Sequence, residues 1–231
     1  MKKLTKSKAA KGLFIVLDGT DGSGKATQTR LLVEHLLSSG ISVETIDFPR
    51  YKDNLLGKLI RECLDGLHGD FIAMDPKVAS VLYAGDRHES RPLIQGWLDA
   101  GKVVIADRYV SSNQIHQGGK IRDEEARERF LAWLDELEFG AFKLPRPDMI
   151  VYLNVPVDVS MKMARDRAIA KGESPDKAEI DTKHQRESQE SALSIVRRLN
   201  NWIKVDCAPE GKLLSPEAIH ALVFKAIEHL L

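Results

Sequence analysis

Nine consecutive residues, Gly19-Thr20-Asp21-Gly22-Ser23-Gly24-Lys25-Ala26-Thr27, carry the most specific chemical signal in this chain. They contain the G-x-x-x-x-G-K spacing from Gly19 to Lys25, directly after the apolar run Phe14-Ile15-Val16-Leu17. Glycines at those positions permit a tight loop whose N–H groups point inward at an anion. A helix opening at the end of the loop adds the positive end of its dipole, and Lys25 reaches the β- and γ-phosphates of a nucleoside triphosphate such as ATP. The motif departs from its usual form at one place. The residue after the lysine is ordinarily Ser or Thr, whose hydroxyl ligates Mg²⁺, and here it is Ala26. Thr27 lies about 100° further round a helix. A bound Mg²⁺ must therefore rely on water and carboxylates, with Asp21 and Asp107 the nearest candidates.

Two further strand ends speak to the phosphoryl acceptor. The run closing at Asp47 continues Phe48-Pro49-Arg50-Tyr51. A kinase acting on a hydroxyl wants a carboxylate there to take its proton, but Arg50 offers a fork suited to phosphate. A nucleoside monophosphate has a second pKa of ~6 and is largely a dianion at neutral pH, so it attacks without a base. Val103-Val104-Ile105-Ala106 ends at Asp107-Arg108-Tyr109, where Asp107 can orient Mg²⁺ or its water and Arg108 can bridge donor and acceptor phosphates.

These residues need elements to hold them. Five short apolar runs, Leu13–Leu17, Ser42–Asp47, Val103–Ala106, Met149–Asn154 and Trp202–Asp206, alternate with stretches of helical spacing. Helices are expected from about Thr27 to Ser38, from Pro92 as a first-turn residue to Ala100, and from Pro216 to Leu230 with Ser215 as N-cap. Apolar runs without period-two alternation argue a parallel sheet covered on both faces. The expected fold is a three-layer α/β architecture of P-loop NTPase type, a five-stranded parallel sheet with helices on both faces. Ligands of such sheets bind at the carboxyl ends of the strands.

Composition sets the outer bounds. Lys plus Arg number 34 and Asp plus Glu number 34, so no net field advertises nucleic acid or an anionic membrane as partner. Cys63 and Cys207 lie in apolar surroundings without metal-ligand spacing and read as reduced core thiols of a cytoplasmic protein. Residues 1–11 are basic, lack the apolar run of a signal peptide and read as a flexible tail; residues 12–231 read as a single domain.

The motifs together resemble the thymidylate kinase family. They are the loop Gly19–Thr27, Phe48-Pro49-Arg50-Tyr51, Tyr83-Ala84-Gly85-Asp86-Arg87, and Asp107-Arg108-Tyr109-Val110-Ser111-Ser112-Asn113 followed by Gln117-Gly118-Gly119. They stand in that family's order and spacing, and the similarity runs from about Lys11 to the end. The resemblance implies ATP-dependent phosphorylation of dTMP to dTDP with Mg²⁺, by a homodimer. Arg87 would hydrogen-bond the thymine edge, Tyr83 would stack on the base, and Asn113 and Gln117 would complete its recognition. Asp21 would sit by the acceptor sugar, Arg50 and Arg108 would hold the acceptor phosphate, and Tyr51 would line the same site. His116 stands where family members often carry a tyrosine beside the sugar.

Some thymidylate kinases carry a transition-state arginine in the loop after the position of Asp21, where this chain has Gly22; others carry basic residues in a mobile lid. Arg165, Asp166, Arg167, Lys171 and Lys177, with Gly172 and Pro175 as helix breakers, resemble the lid-arginine type, with the lid at about 163–187. Past the lid, the family's acidic pair falls on Asp181 or, with a different gap, on His184 and Glu187, which makes Glu187 a metal neighbour. Two alternatives stand beside this expectation: a related pyrimidine nucleotide kinase for dUMP or UMP/CMP, and a nucleotide-binding module without turnover.

Overall fold

The computed structural model describes residues 12–172 and 181–231. The expected tail, the side chain of Lys171, and Pro175 and Lys177 of the expected lid lie outside the described residues. Five strands form, β1 (Leu13–Asp18), β2 (Val43–Asp47), β3 (Val103–Asp107), β4 (Met149–Asn154) and β5 (Trp202–Asp206). Neighbours pair in parallel throughout, in the order β2-β3-β1-β4-β5.

The three central strands, β1, β3 and β4, are covered on both faces, which explains why they read as continuous apolar runs, while the edge strands β2 and β5 keep exposed polar residues. Side chains alternate across a strand, so Phe14 and Val16 enter one core while Ile15 and Leu17 enter the other. The first core is closed by α4 (Val110–Gly119), α5 (Glu124–Asp135) and α7 (Thr182–Val196), which contribute Ile115, Leu134 and Ile195. The second is closed by α1 (Lys25–Ser38) and α8 (Pro216–Ile227), through Leu32, Leu36 and Val223. Truncating fully buried Leu36 to Ala is expected to cost ~2–5 kcal/mol, the range for such a cavity. Cys63 and Cys207 are buried and unpaired. No helix among the described residues is long and apolar enough to cross a membrane.

The C-terminal helix starts as its sequence predicts, with the Ser215 hydroxyl accepting from the Ala218 N–H and Pro216 in the first turn. The helix expected from Pro92 is a correction. Pro92 lies inside one 24-residue helix, α3 (Pro76–Asp99), which opens at Asp75, its carboxylate accepting from the N–H groups of Lys77 and Val78. An interior proline costs about 3 kcal/mol of helix stability. Here it is outweighed by a buried face running through Ala84, Arg87, Ser90 and Ile94. Two shorter elements complete what positions the site: α2 (Leu55–Leu64) and α6 (Val157–Lys171).

Register brings acidic residues together at the carboxyl edge of the sheet. Asp107 closes β3 opposite Leu17 of β1 and Asp47 of β2, and Asp18 closes β1. The candidate site is built on that edge.

Candidate active site

A cavity of about 580 Å³ opens beside these strand ends. Asp18 anchors the loop that follows β1. Its buried carboxylate accepts from the Gly19 N–H (2.8 Å) and from the hydroxyls of Ser111 (2.5 Å) and Ser112 (2.9 Å) at the start of α4. Gly22 and Gly24 then take φ of +77° and +88°, a region costly for any other residue. A Cβ at Gly22 would lie 2.0 Å from the Ser160 carbonyl oxygen of α6. The loop has no room for a side chain there in this arrangement.

Lys25 is the first residue of α1, and its ammonium donates back into the loop. Its partners are the carbonyls of Gly19 (3.1 Å) and Thr20 (2.8 Å) and the Ser23 hydroxyl (3.4 Å). Gly19, Thr20 and Ser23 thus wrap the ammonium, while Asp21, Gly22, Gly24, Lys25, Ala26 and Thr27 line the cavity. Burial, with repulsion from Arg108, pushes the Lys25 ammonium down to about 8 despite Asp21, Asp107 and Asp18. An anionic ligand would supply the charge this ammonium lacks.

Arg108 follows β3 with φ +70°, a left-handed backbone that costs ~1–3 kcal/mol for a non-glycine residue. Its N–H is pinned to the Leu17 carbonyl (3.0 Å), and its guanidinium donates to the Asp21 carboxylate and to His116 Nε2 (3.2 Å). Asp21 also accepts from Gln185 Nε2 of α7 (2.9 Å). An arginine only donates, so His116 Nε2 is the acceptor and its Nδ1–H donates to the Ser188 hydroxyl (3.2 Å). Burial holds His116 well below the ordinary imidazole range, against the pull of Asp21, and keeps it neutral. Burial pushes the Asp107 carboxyl up, against Lys25 and Arg108.

Tyr51, Tyr83, Arg87, Asn113, His116 and Gln117 line the same cavity, together with Arg108. Arg50 does not. Its guanidinium pairs with Asp53 at 2.6 Å, and its backbone N–H is held by Asp86 (3.0 Å). Arg87, on α3, is 2% exposed and ion-paired with Glu138, which is 0% exposed. Nε donates to one carboxylate oxygen at 2.8 Å and Nη2 to the other. Asn113 Nδ2 donates to the same carboxylate (3.0 Å). Breaking one partner of such a buried pair costs ~3–5 kcal/mol. Sequence reasoning missed Glu138, which sits in an acidic run, although Phe130, Leu134 and Glu138 share helical i+4 spacing and place a charge on an apolar face. It also missed Lys120 and Arg61, which line the cavity. Burial pushes the Lys120 ammonium down to about 8.

The two described arginines of the expected lid part company. Arg167 lines the cavity with Met163 one turn before it on α6; Arg165 does not. Of the three candidate metal carboxylates, Asp21 and Asp107 line the cavity, whereas Glu187 meets Arg122 at 3.3 Å. The described residues hold no cluster of three or more His, Cys, Asp or Glu side chains fit for a metal ion.

Comparison with known proteins places this geometry in context. Residues 17–217 match the family model described as thymidylate kinase. The chain is 35% identical over 156 residues to thymidylate kinase of Mycobacterium tuberculosis, covering 68% of this chain and 72% of that protein. It is 34% identical over 224 residues to a probable thymidylate kinase of Thermococcus onnurineus, covering 94% and 98%. Human thymidylate kinase is 32% identical over 148 residues, 64% of this chain and 63% of that one. The solved thymidylate kinase of Candida albicans superimposes with a TM-score of 0.70 at 25% identity, over 95% of this chain and 92% of that one. The three layers and the loop after β1 are those of a P-loop NTPase fold, and the chain belongs to the thymidylate kinase family.

Proposed function

We infer that the chain is an ATP-dependent kinase that transfers the γ-phosphoryl group of ATP to the 5′-phosphate of dTMP, giving ADP and dTDP. One observation carries the reading: a single cavity is lined both by Lys25 of the phosphate loop and by the buried pair Arg87 and Asn113. In the transfer, an oxygen of the acceptor phosphate bonds to the γ-phosphorus while the bond from that phosphorus to the bridging oxygen of ADP breaks. The acceptor is largely a dianion at neutral pH, so this chain's residues act by position and charge rather than as a base.

In this reading the loop N–H groups, the positive end of α1 and Lys25 hold the triphosphate. Arg108 holds the acceptor phosphate. Arg50 joins it by leaving Asp53, and exposed pairs of that kind contribute only ~0–1 kcal/mol. Arg167, with Arg165 close by on the lid, meets the charge that develops on the transferred group. Tyr83 stacks on the base, Asp21 and His116 face the sugar, Tyr51 lines the same site, and Gln117 joins Arg87 and Asn113 at the base.

Mg²⁺ is the expected cofactor, neutralising triphosphate charge. The donor set fits it: the half-buried Asp107 carboxylate lines the cavity and accepts no hydrogen bond from the described residues. Asp21 is already engaged by Arg108 and Gln185, and Ala26 offers no hydroxyl. Asp107 and water would therefore carry most of the coordination, with Glu187 a more distant contributor.

We read residues 12–231 as one kinase domain, cytoplasmic and homodimeric, with no nucleic-acid or membrane partner. The balanced charge and the buried, unpaired cysteines support the location, and the family resemblance supports the dimer. The test is ADP release with dTMP and with thymidine as acceptors. Turnover is expected with dTMP and none with thymidine; phosphorylation of thymidine overturns the monophosphate reading.

A further inference from the structure

The residues that face the base end of the cavity are themselves held by a carboxylate that does not line it. Glu138 is fully buried in a π-helical turn, Glu136–Ala141, that directly follows α5. Such turns are rare and recur at functional sites. This one carries Glu138 inward, between α3 and α4, where it meets Arg87 and Asn113 together.

The hydrogen-bond directions are forced. An ionised carboxylate accepts only, and a backbone carbonyl accepts only. Asn113 Nδ2 has two hydrogens, and they go to Glu138 (3.0 Å) and to the Ser80 carbonyl (3.2 Å). Its Oδ1 therefore turns the other way, and no donor among the described residues reaches it. Arg87 has five N–H donors, of which three are engaged: two by Glu138 and one by the Tyr109 carbonyl (3.3 Å). Two remain. One carboxylate thus fixes a donor, on Arg87, and an acceptor, on Asn113, along the same wall.

We propose that Glu138 is the positioning residue that sets the hydrogen-bond polarity of the base site, making it complementary to a pyrimidine with a carbonyl at C4 and an N–H at N3. Thymine and uracil present that acceptor–donor order, and cytosine presents the reverse. The proposal rests on the cavity being a nucleoside monophosphate site and adds to it the group that enforces the choice. Without Glu138, the Asn113 amide is free to turn over and offer its NH₂ instead, and the Arg87 fork loses its seat.

The test compares kcat/KM for dTMP and dCMP in wild type and in Glu138→Gln, with KM for ATP as the control. A glutamine there cannot accept from both Arg87 and Asn113 through two oxygens, so the dTMP-to-dCMP ratio is expected to fall by about tenfold or more, while KM for ATP holds. If Glu138→Gln loses activity on both substrates equally and keeps the wild-type ratio, Glu138 is only a structural partner and the proposal is overturned with the kinase reading intact. A wild type that does not separate dTMP from dCMP refutes the reading beneath it instead. Should Glu138→Gln fail to fold, Glu138→Asp keeps the buried charge but withdraws the carboxylate by one methylene. That variant is expected to raise KM for dTMP by about tenfold with the dTMP-over-dCMP ranking kept. An unchanged KM for dTMP overturns the proposal.

Discussion

The Arg108 guanidinium donates to the Asp21 carboxylate, tying the residue after β3 to the middle of the loop after β1. Burial alone would raise the Asp21 carboxyl, but Arg108, Lys25 and the Gln185 amide hold it far below the usual carboxylate range. Asp21 therefore stays ionised throughout the working range and takes no proton from an acceptor. The acid limb of kcat/KM for dTMP is expected to follow the acceptor's own second ionisation, with activity falling as pH drops through ~6. Asp21→Asn should lower the rate and leave that limb where it is. A limb that shifts by a pH unit in the variant contradicts this account of Asp21.

In the proposed reading Lys25 serves the phosphates, and it packs in neither core, so Lys25→Met is expected to abolish turnover while leaving the circular dichroism spectrum unchanged. Its ammonium is also held down to about 8, from an ordinary value of 10.5. Between those values the unfolded chain binds a proton that the folded chain does not, so stability rises with pH across the window. Below the window both states are charged and the folded state bears the burial cost in full. Urea unfolding at pH 7 and pH 10 should show wild type gaining stability relative to Lys25→Met at the higher pH. No difference between the two pH values would mean the ammonium is well solvated in the free protein, and the opposite trend would mean that Asp21, Asp107 and Asp18 outweigh its burial.

The phosphate loop was legible because its chemistry is local. Gly22, Gly24 and Lys25 act through backbone geometry over a few residues, and β1 before them announces itself as an apolar run. The strands were legible for the same reason. Long-range pairing was not. Arg50 has an acidic neighbour three residues on, and the Arg50–Asp53 pair competes with the phosphate contact expected from the sequence. Glu138 lies 51 residues from Arg87, and no spacing rule predicts that the two will share a buried wall. Pro92 misled because local propensity was read without the buried face of α3 that overrides it.

The arginines of the expected lid offer a sharper contrast than their sequence suggests. Arg167 lines the cavity and Arg165 does not. Loss of a focused charge at a transition state costs about a hundredfold or more in kcat, so Arg167→Ala should fall by that much with little change in KM. Arg165→Ala should stay within a few-fold of wild type. Equal, near-normal kcat in both variants would mean that Lys25 and Arg108 meet the developing charge without the lid.

The central claim is that this enzyme phosphorylates dTMP because its base site reads an oxo-pyrimidine edge. Arg87 can only donate, so in the proposed site it would pair with the C4 carbonyl of thymine or uracil and would meet the cytosine amino group donor to donor. A buried mismatch of that kind costs ~1–3 kcal/mol for each unpaired group. Loss of the thymine methyl forfeits about one buried carbon, or ~0.8 kcal/mol. The most direct test is kcat/KM for dTMP, dUMP and dCMP with the purified wild-type enzyme and Mg²⁺·ATP. The account predicts dTMP first, dUMP a few-fold lower and dCMP far below both, with Arg87→Ala narrowing the gap between dUMP and dCMP more than the gap between dTMP and dUMP. A wild-type enzyme that phosphorylates dCMP as well as dTMP would contradict it.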